Sequence, residues 1–251
     1  MVRTGLTFAP RPVRQWARWQ VLKRGQIKLV PEAALEEKYE QALRFLAERH
    51  GPEGFGDYLE FGVFCGASMA CMWRALQRVG LGSVRLFGFD SFEGLPAKTP
   101  EDSELPWEAG TFKSDYGLVQ DLLEKQGVDS DRVFLVKGWY QHTLNEDLRQ
   151  RHKIAKACII MIDCDFYSSA KEALTFCGPL IQDEVMIFFD DWDAGIGLAD
   201  RDLGEKAAFN EFLREHPDLS AQEFGTYYHT EMGPRSALVN SSKIFLVTRR
   251  R

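Results

Sequence analysis

Asp163 and Asp165 close the apolar run Ala157–Ile162, and Asp190 and Asp191 close the run Val185–Phe189. If these runs are neighbouring parallel strands, their four carboxylates converge on one crevice. Clustered carboxylates repel one another and hold their protons more tightly. A hard divalent cation such as Mg2+ removes that penalty, because it prefers oxygen ligands. Asp165 also precedes a helical stretch, which makes it a candidate helix cap.

Two further strand ends carry chemistry. The run at Tyr58–Phe64 holds Glu60 and leads through Gly62 and Gly66 to Ser68. Gly62 and Gly66 permit a tight turn into a helix and close backbone approach to a ligand, and the free N–H groups of the helix suit a carboxylate or phosphate. The pattern is not GxGxxG, which argues against a dinucleotide. The run Val84–Phe89 is followed by Asp90, placed to accept hydrogen bonds from ribose hydroxyls. After Val133–Val136 come Lys137, Gly138, Trp139 and Tyr140, where an aromatic ring can stack on a flat ligand or cover the edge of the core.

The elements that must position these residues follow from periodicity. Residues 32–49 read as an amphipathic helix ending near Gly51 and Pro52. Beyond it, the five apolar runs alternate with helical stretches near 67–79, 115–127, 143–151 and 167–177. Such alternation predicts βαβ units and a mostly parallel sheet. A helix near 204–216 precedes two more strands, about 221–229 and 243–248. These two cannot both be parallel members of a helix-linked sheet, so an antiparallel hairpin at the sheet edge is expected. Ligands of open α/β sheets bind beyond the carboxyl ends of the strands, where the acids and glycines stand.

Composition narrows the function. The chain has 251 residues, 45% hydrophobic and 27% charged, enough for a sizeable core without disulfides or a structural metal. A net charge of −6 gives no reason to expect nucleic acid. Residues 1–28 nevertheless carry seven basic residues and no acid, with Trp16 and Trp19 among them. We divide the chain into this basic aromatic arm, residues 1–31, and one domain, residues 32–251. The arm would pack on the body or on a neighbouring subunit, giving a homo-oligomer, or meet an anionic surface. The cysteines Cys65, Cys71, Cys158, Cys164 and Cys177 lie in apolar runs without a CxxC pair, and read as buried thiols of a cytoplasmic protein. No stretch is long and apolar enough for a membrane span.

Five stretches together resemble the macrocin O-methyltransferase family. They are Tyr58–Ser68, Leu86–Pro96 (LFGFDSFEGLP), Val136–Tyr140 with Thr143 and Leu144, Ile162–Ser169 (IDCDFYSS) and Phe188–Trp192 (FFDDW). The resemblance covers roughly residues 35–215 and is specific in combination. It implies a class I methyltransferase fold of the α/β class, Rossmann-like, with a seven-stranded, mostly parallel sheet, an antiparallel C-terminal strand and helices on both faces. It also implies S-adenosylmethionine (SAM) as cosubstrate. Glu60, Gly62 and Gly66, with Ser68 beside them, would line its methionine end. Asp90 would hold the ribose, Ser91 and Phe92 would flank the nucleoside, and Gly138 and Trp139 would lie beside the adenine. Asp163, Asp190 and Asp191 match the metal-binding acids. Cys164 stands where the family commonly has glycine, and Gln141 and His142 replace residues that are often acidic.

The chemistry expected is in-line methyl transfer to a hydroxyl of a small sugar-like or polyol acceptor, oriented and acidified by Mg2+ or another divalent cation. Asp163 or His142 would be the base, with His229 a second histidine candidate. The long acidic loop 93–114 reads as a lid whose Trp107 and Phe112 cover a ligand, or as a solvated insertion. The loop 192–203 is another candidate wall. A catechol or phenol acceptor, a nicotinamide-dependent oxidoreductase and a non-catalytic binding module are the competing readings.

Overall fold

The computed structural model describes residues 30–51, 54–193, 200–227 and 241–250. The apolar runs form strands β1 (Asp57–Phe61), β2 (Leu86–Asp90), β3 (Val133–Lys137), β4 (Ala157–Ile162), β5 (Glu184–Phe189), β6 (Leu219–Gly225) and β7 (Lys243–Arg249). The helices are α1 (Glu32–His50), α2 (Ala67–Val79), α3 (Tyr116–Lys125), α4 (Tyr140–Thr143), α5 (Glu146–His152), α6 (Tyr167–Cys177) and α7 (Gly204–Glu215).

One seven-stranded sheet runs in the order β3-β2-β1-β4-β5-β7-β6. Strands β1 to β5 pair in parallel, and β7 is antiparallel to both its neighbours, β5 and β6. The sheet order reverses between β1 and β4, which opens a crevice above the ends of β1, β2, β4 and β5.

Burial explains the strand composition. Every residue of β1, β4 and β5 is buried, as expected of strands covered on both faces. Tyr58 packs with Leu35 and Tyr39 of α1 and Met69 and Met72 of α2 on one face. Leu59 and Phe61 face the other way, towards Ala170 and Leu174 of α6 and Phe209 and Phe212 of α7. Each large apolar side chain fully buried in this way contributes about 1.5–3 kcal/mol.

Several expected boundaries move for local reasons. Strand β1 stops at Phe61 rather than Phe64, because Gly62 (φ 95°) and Phe64 (φ 47°) turn the chain out of extended geometry. The helix expected near 143–151 is α5 and begins at Glu146, because the Asn145 side chain accepts from the Leu148 N–H (2.9 Å) and caps it there; the short α4 precedes it. The penultimate strand begins at Leu219 and ends at Gly225, and part of its expected span, with His229, lies outside the described residues. All five cysteines are free thiols, four buried and Cys65 half-buried. No helix among the described residues is long and apolar enough to cross a membrane.

Candidate active site

Backbone hydrogen bonds knit the strand ends together before any ligand is considered. The Gly62 N–H donates to the Phe89 carbonyl (3.0 Å), the Asp163 N–H to Phe61 (2.9 Å) and the Asp190 N–H to Ile162 (3.0 Å). Asp90 gathers the loops above β1 and β2. Its Oδ2 accepts from the N–H groups of Val63 (2.8 Å) and Phe64 (2.9 Å), and its Oδ1 from Phe92 (2.6 Å). Burial pushes the Asp90 carboxyl upward, against the opposing pull of these donors. Three of its roughly four lone-pair positions are thereby engaged, and it still borders the cavity above the sheet.

That cavity has a volume of about 1000 Å³. Gly62, Ser68, Asp90, Ser91, Gly138 and Trp139 line it, as do Asp163, Asp190 and Asp191. Nine of the thirteen residues expected to bind the cosubstrate or metal or to act as base therefore border one cavity. Four others do not. Glu60 is fully buried, because alternation along β1 turns it towards the face covered by α1 and α2. There it accepts from the hydroxyls of Tyr58 (2.5 Å) and Ser68 (2.7 Å), and burial raises its pKa to about 7. Gly66 lies beneath the wall, where a β-carbon would meet Leu123 Cδ2 at 2.9 Å. Phe92 turns into the core and packs edge-on against Tyr116, with ring centroids 5.4 Å apart. His142 is exposed on α4 beside Gln141, next to the cavity-lining residues Tyr140 and Gln141 but not itself lining the cavity.

The acids at the ends of β4 and β5 do converge. One carboxylate oxygen each from Asp163, Asp190 and Asp191 lies within 4.8 Å of the others. Asp165 borders the same cavity beside them. It does not cap α6: its φ of 59° turns its side chain back towards the cluster. Burial, then repulsion from the neighbouring carboxylates, holds Asp163 and Asp165 well above the usual carboxylate range. Every charged side chain among the described cavity-lining residues is acidic: Asp90, Glu93, Asp163, Asp165, Glu172, Asp190 and Asp191. An all-oxygen donor set this compact fits a hard divalent cation.

Supporting groups that sequence reasoning missed hold this cluster. Glu205, fully buried on α7, accepts from the backbone N–H groups of Cys164 (3.0 Å), Asp165 (3.3 Å) and Asp191 (3.2 Å). In the sequence it is only an acid in a helix's first turn, a common surface feature. The Tyr227 hydroxyl donates to Asp190 Oδ1. Asp102, in the middle of the long loop, is also fully buried, and no local pattern marks it. That loop is neither detached nor solvated throughout. Leu105 is buried with Phe166, and Trp107 contacts Phe112 (5.2 Å), which meets Phe64 of the glycine turn (5.9 Å).

A family model described as Macrocin-O-methyltransferase (TylF) matches residues 38–214, which take in β1 to β5 and every acid of the cluster. The chain belongs to that family. Among curated relatives, the 8-demethyl-8-(2,3-dimethoxy-alpha-L-rhamnosyl)-tetracenomycin-C 4'-O-methyltransferase of Streptomyces olivaceus is 27% identical over 143 residues, 55% of this chain and 53% of that protein. The mycinamicin III 3''-O-methyltransferase of Micromonospora griseorubida is 25% identical over 145 residues, 55% of each. The chain spans about half the length of the curated relatives it matches. The solved O-methyltransferase NovP superposes with a TM-score of 0.67 over 93% of this chain and 89% of its own, at 16% identity, which establishes the shared fold.

Proposed function

We propose that this protein transfers the methyl group of SAM to a hydroxyl of a sugar-like or polyol group on a small natural product, with a divalent cation such as Mg2+ held at Asp163, Asp190 and Asp191. The observation that carries this reading is the convergence of three carboxylates, within 4.8 Å, on the cavity that the Gly62 turn also borders. Family membership and the sugar-directed names of two relatives support the acceptor class.

Gly62, Ser68, Asp90, Ser91, Gly138 and Trp139 would hold the cosubstrate. A cation at the three aspartates would supply Lewis acidity and a template for the acceptor oxygen. Asp163, or Asp165 next to it on the same turn and bordering the same cavity, would accept the proton the acceptor loses. Phe64, Trp107 and Phe112, packed edge-to-face, would exclude water from one side and give the acceptor an apolar wall. That wall also suits a catechol, whose paired oxygens would meet the same acids.

The five free thiols suit a reducing compartment, and we place the enzyme in the cytoplasm. The basic, Trp-containing arm of residues 1–31 would join copies of the chain.

Incubation with SAM, Mg2+ and parallel panels of glycosides and catechols, read by mass spectrometry, tests the proposal. Methylated glycoside, lost on adding EDTA and restored by Mg2+, is expected. Transfer that persists in EDTA would remove the metal, transfer to catechols alone would replace the acceptor class, and the absence of calorimetric SAM binding would end the reading.

A further inference from the structure

The first turn of α6 follows directly on the Asp163–Asp165 turn, yet no residue next to it caps it. The cap comes from far along the chain. Asp102 Oδ1 accepts from the Tyr167 N–H (2.7 Å), and Oδ2 accepts from the hydroxyls of Ser168 (2.7 Å) and Thr99 (2.9 Å). The carboxylate is fully buried. Three residues on, Leu105 packs against Phe166, the neighbour of Asp165. Thr99, Trp107 and Ser168 all line the cavity. One buried carboxylate therefore joins the long loop that borders the cavity to the first turn of α6, which follows directly on the turn carrying Asp163 and Asp165.

We propose that Asp102 is a positioning residue: it holds the Asp163–Asp165 turn from the acceptor-side loop, so that the metal site and the acceptor wall are set as one unit. This rests on the metal reading of the acid cluster. Physically, a cap supplied in trans ties two segments more tightly than either could be held alone, because losing it exposes a buried N–H on one and frees the other. A capping role confined to α6 would leave the loop and the carboxylate geometry unaffected.

The test uses the full chain with Asp102→Ala and Asp102→Asn. Mn2+ uptake is measured by electron paramagnetic resonance, binding of S-adenosylhomocysteine (SAH), the demethylated cosubstrate, by calorimetry and backbone protection by hydrogen–deuterium exchange. For Asp102→Ala, Mn2+ affinity is expected to fall roughly tenfold, the low end of the loss seen when a metal ligand loses a direct partner, because Asp102 acts on the ligands only through the start of α6; SAH affinity is expected to be retained. Exchange is expected to rise together in residues 163–168 and 95–111. Asp102→Asn keeps an acceptor for the Tyr167 N–H, so a smaller loss in the same direction is expected; it carries the test should the alanine variant not fold. Unchanged Mn2+ affinity, or faster exchange confined to the start of α6, would overturn the inference while leaving the metal reading intact. A wild-type protein that takes up no Mn2+ would instead overturn the metal reading and this inference with it.

Discussion

The carbonyl oxygen of Asp163 lies 1.7 Å from where a β-carbon on Gly62 would stand. The turn after β1 and the acid turn after β4 are thus in backbone contact, and only glycine, here at φ 95°, fits between them. Gly62→Ala should cost at least about 2 kcal/mol of stability, from the positive φ and the overlap together. It should also weaken SAH and Mn2+ binding together, as calorimetry would show; loss of one without the other would mean that the two turns move independently.

Removing a ligand from the acid cluster separates metal from cosubstrate. Asp163→Asn and Asp191→Asn keep the side-chain volume and remove a negative charge. Each should lower kcat/KM by more than about a hundredfold while SAH affinity stays within a few-fold of wild type. Full activity of both variants in the presence of chelator would exclude catalysis by the cluster.

Glu60 makes the metal-free protein sensitive to pH. Its carboxyl is raised from 4.5 to about 7, chiefly by burial. Below pH 4.5 the folded and unfolded chains both hold this proton, and stability is fully present. Between pH 4.5 and 7 the unfolded chain gives it up first, so stability falls by about 3 kcal/mol and then levels off. Glu60→Gln should reduce this slope and raise the melting temperature at pH 8, where the charge is absent. Melting curves in EDTA from pH 4 to 8 check the sign; a variant as pH-dependent as wild type would show that Glu60 titrates normally.

His142→Ala should leave kcat/KM within about twofold, the range of an exposed substitution away from the chemistry. A loss of kcat/KM much larger than that, with SAH affinity unchanged, would return the histidine to the reaction.

Much of this site was legible because strands alternate and parallel sheets bring their carboxyl ends together. Asp163, Asp190 and Asp191 needed only β4 and β5 to be neighbours, which their continuous apolar runs implied. The same alternation defeated Glu60: whether an acid one residue from a strand's end points into the crevice or under a helix is a matter of register. Phe92 and His142 stand off the cavity for a related reason: Phe92 adopts a positive φ of 57° and packs into the core, and His142 lies on a separate short helix. Glu205 and Asp102 left no local signal, since each serves backbone groups at least 14 positions distant in the chain.

Periodicity, composition and the acids at the strand ends were enough to determine an open α/β sheet, its crevice and the oxygen-rich chemistry there, because these depend on nearest-neighbour spacing along the chain. Tertiary structure alone decided which acids face the cavity, which are sealed beneath it and which loop residues hold them, because burial and hydrogen bonding between distant segments exist only once the segments have packed.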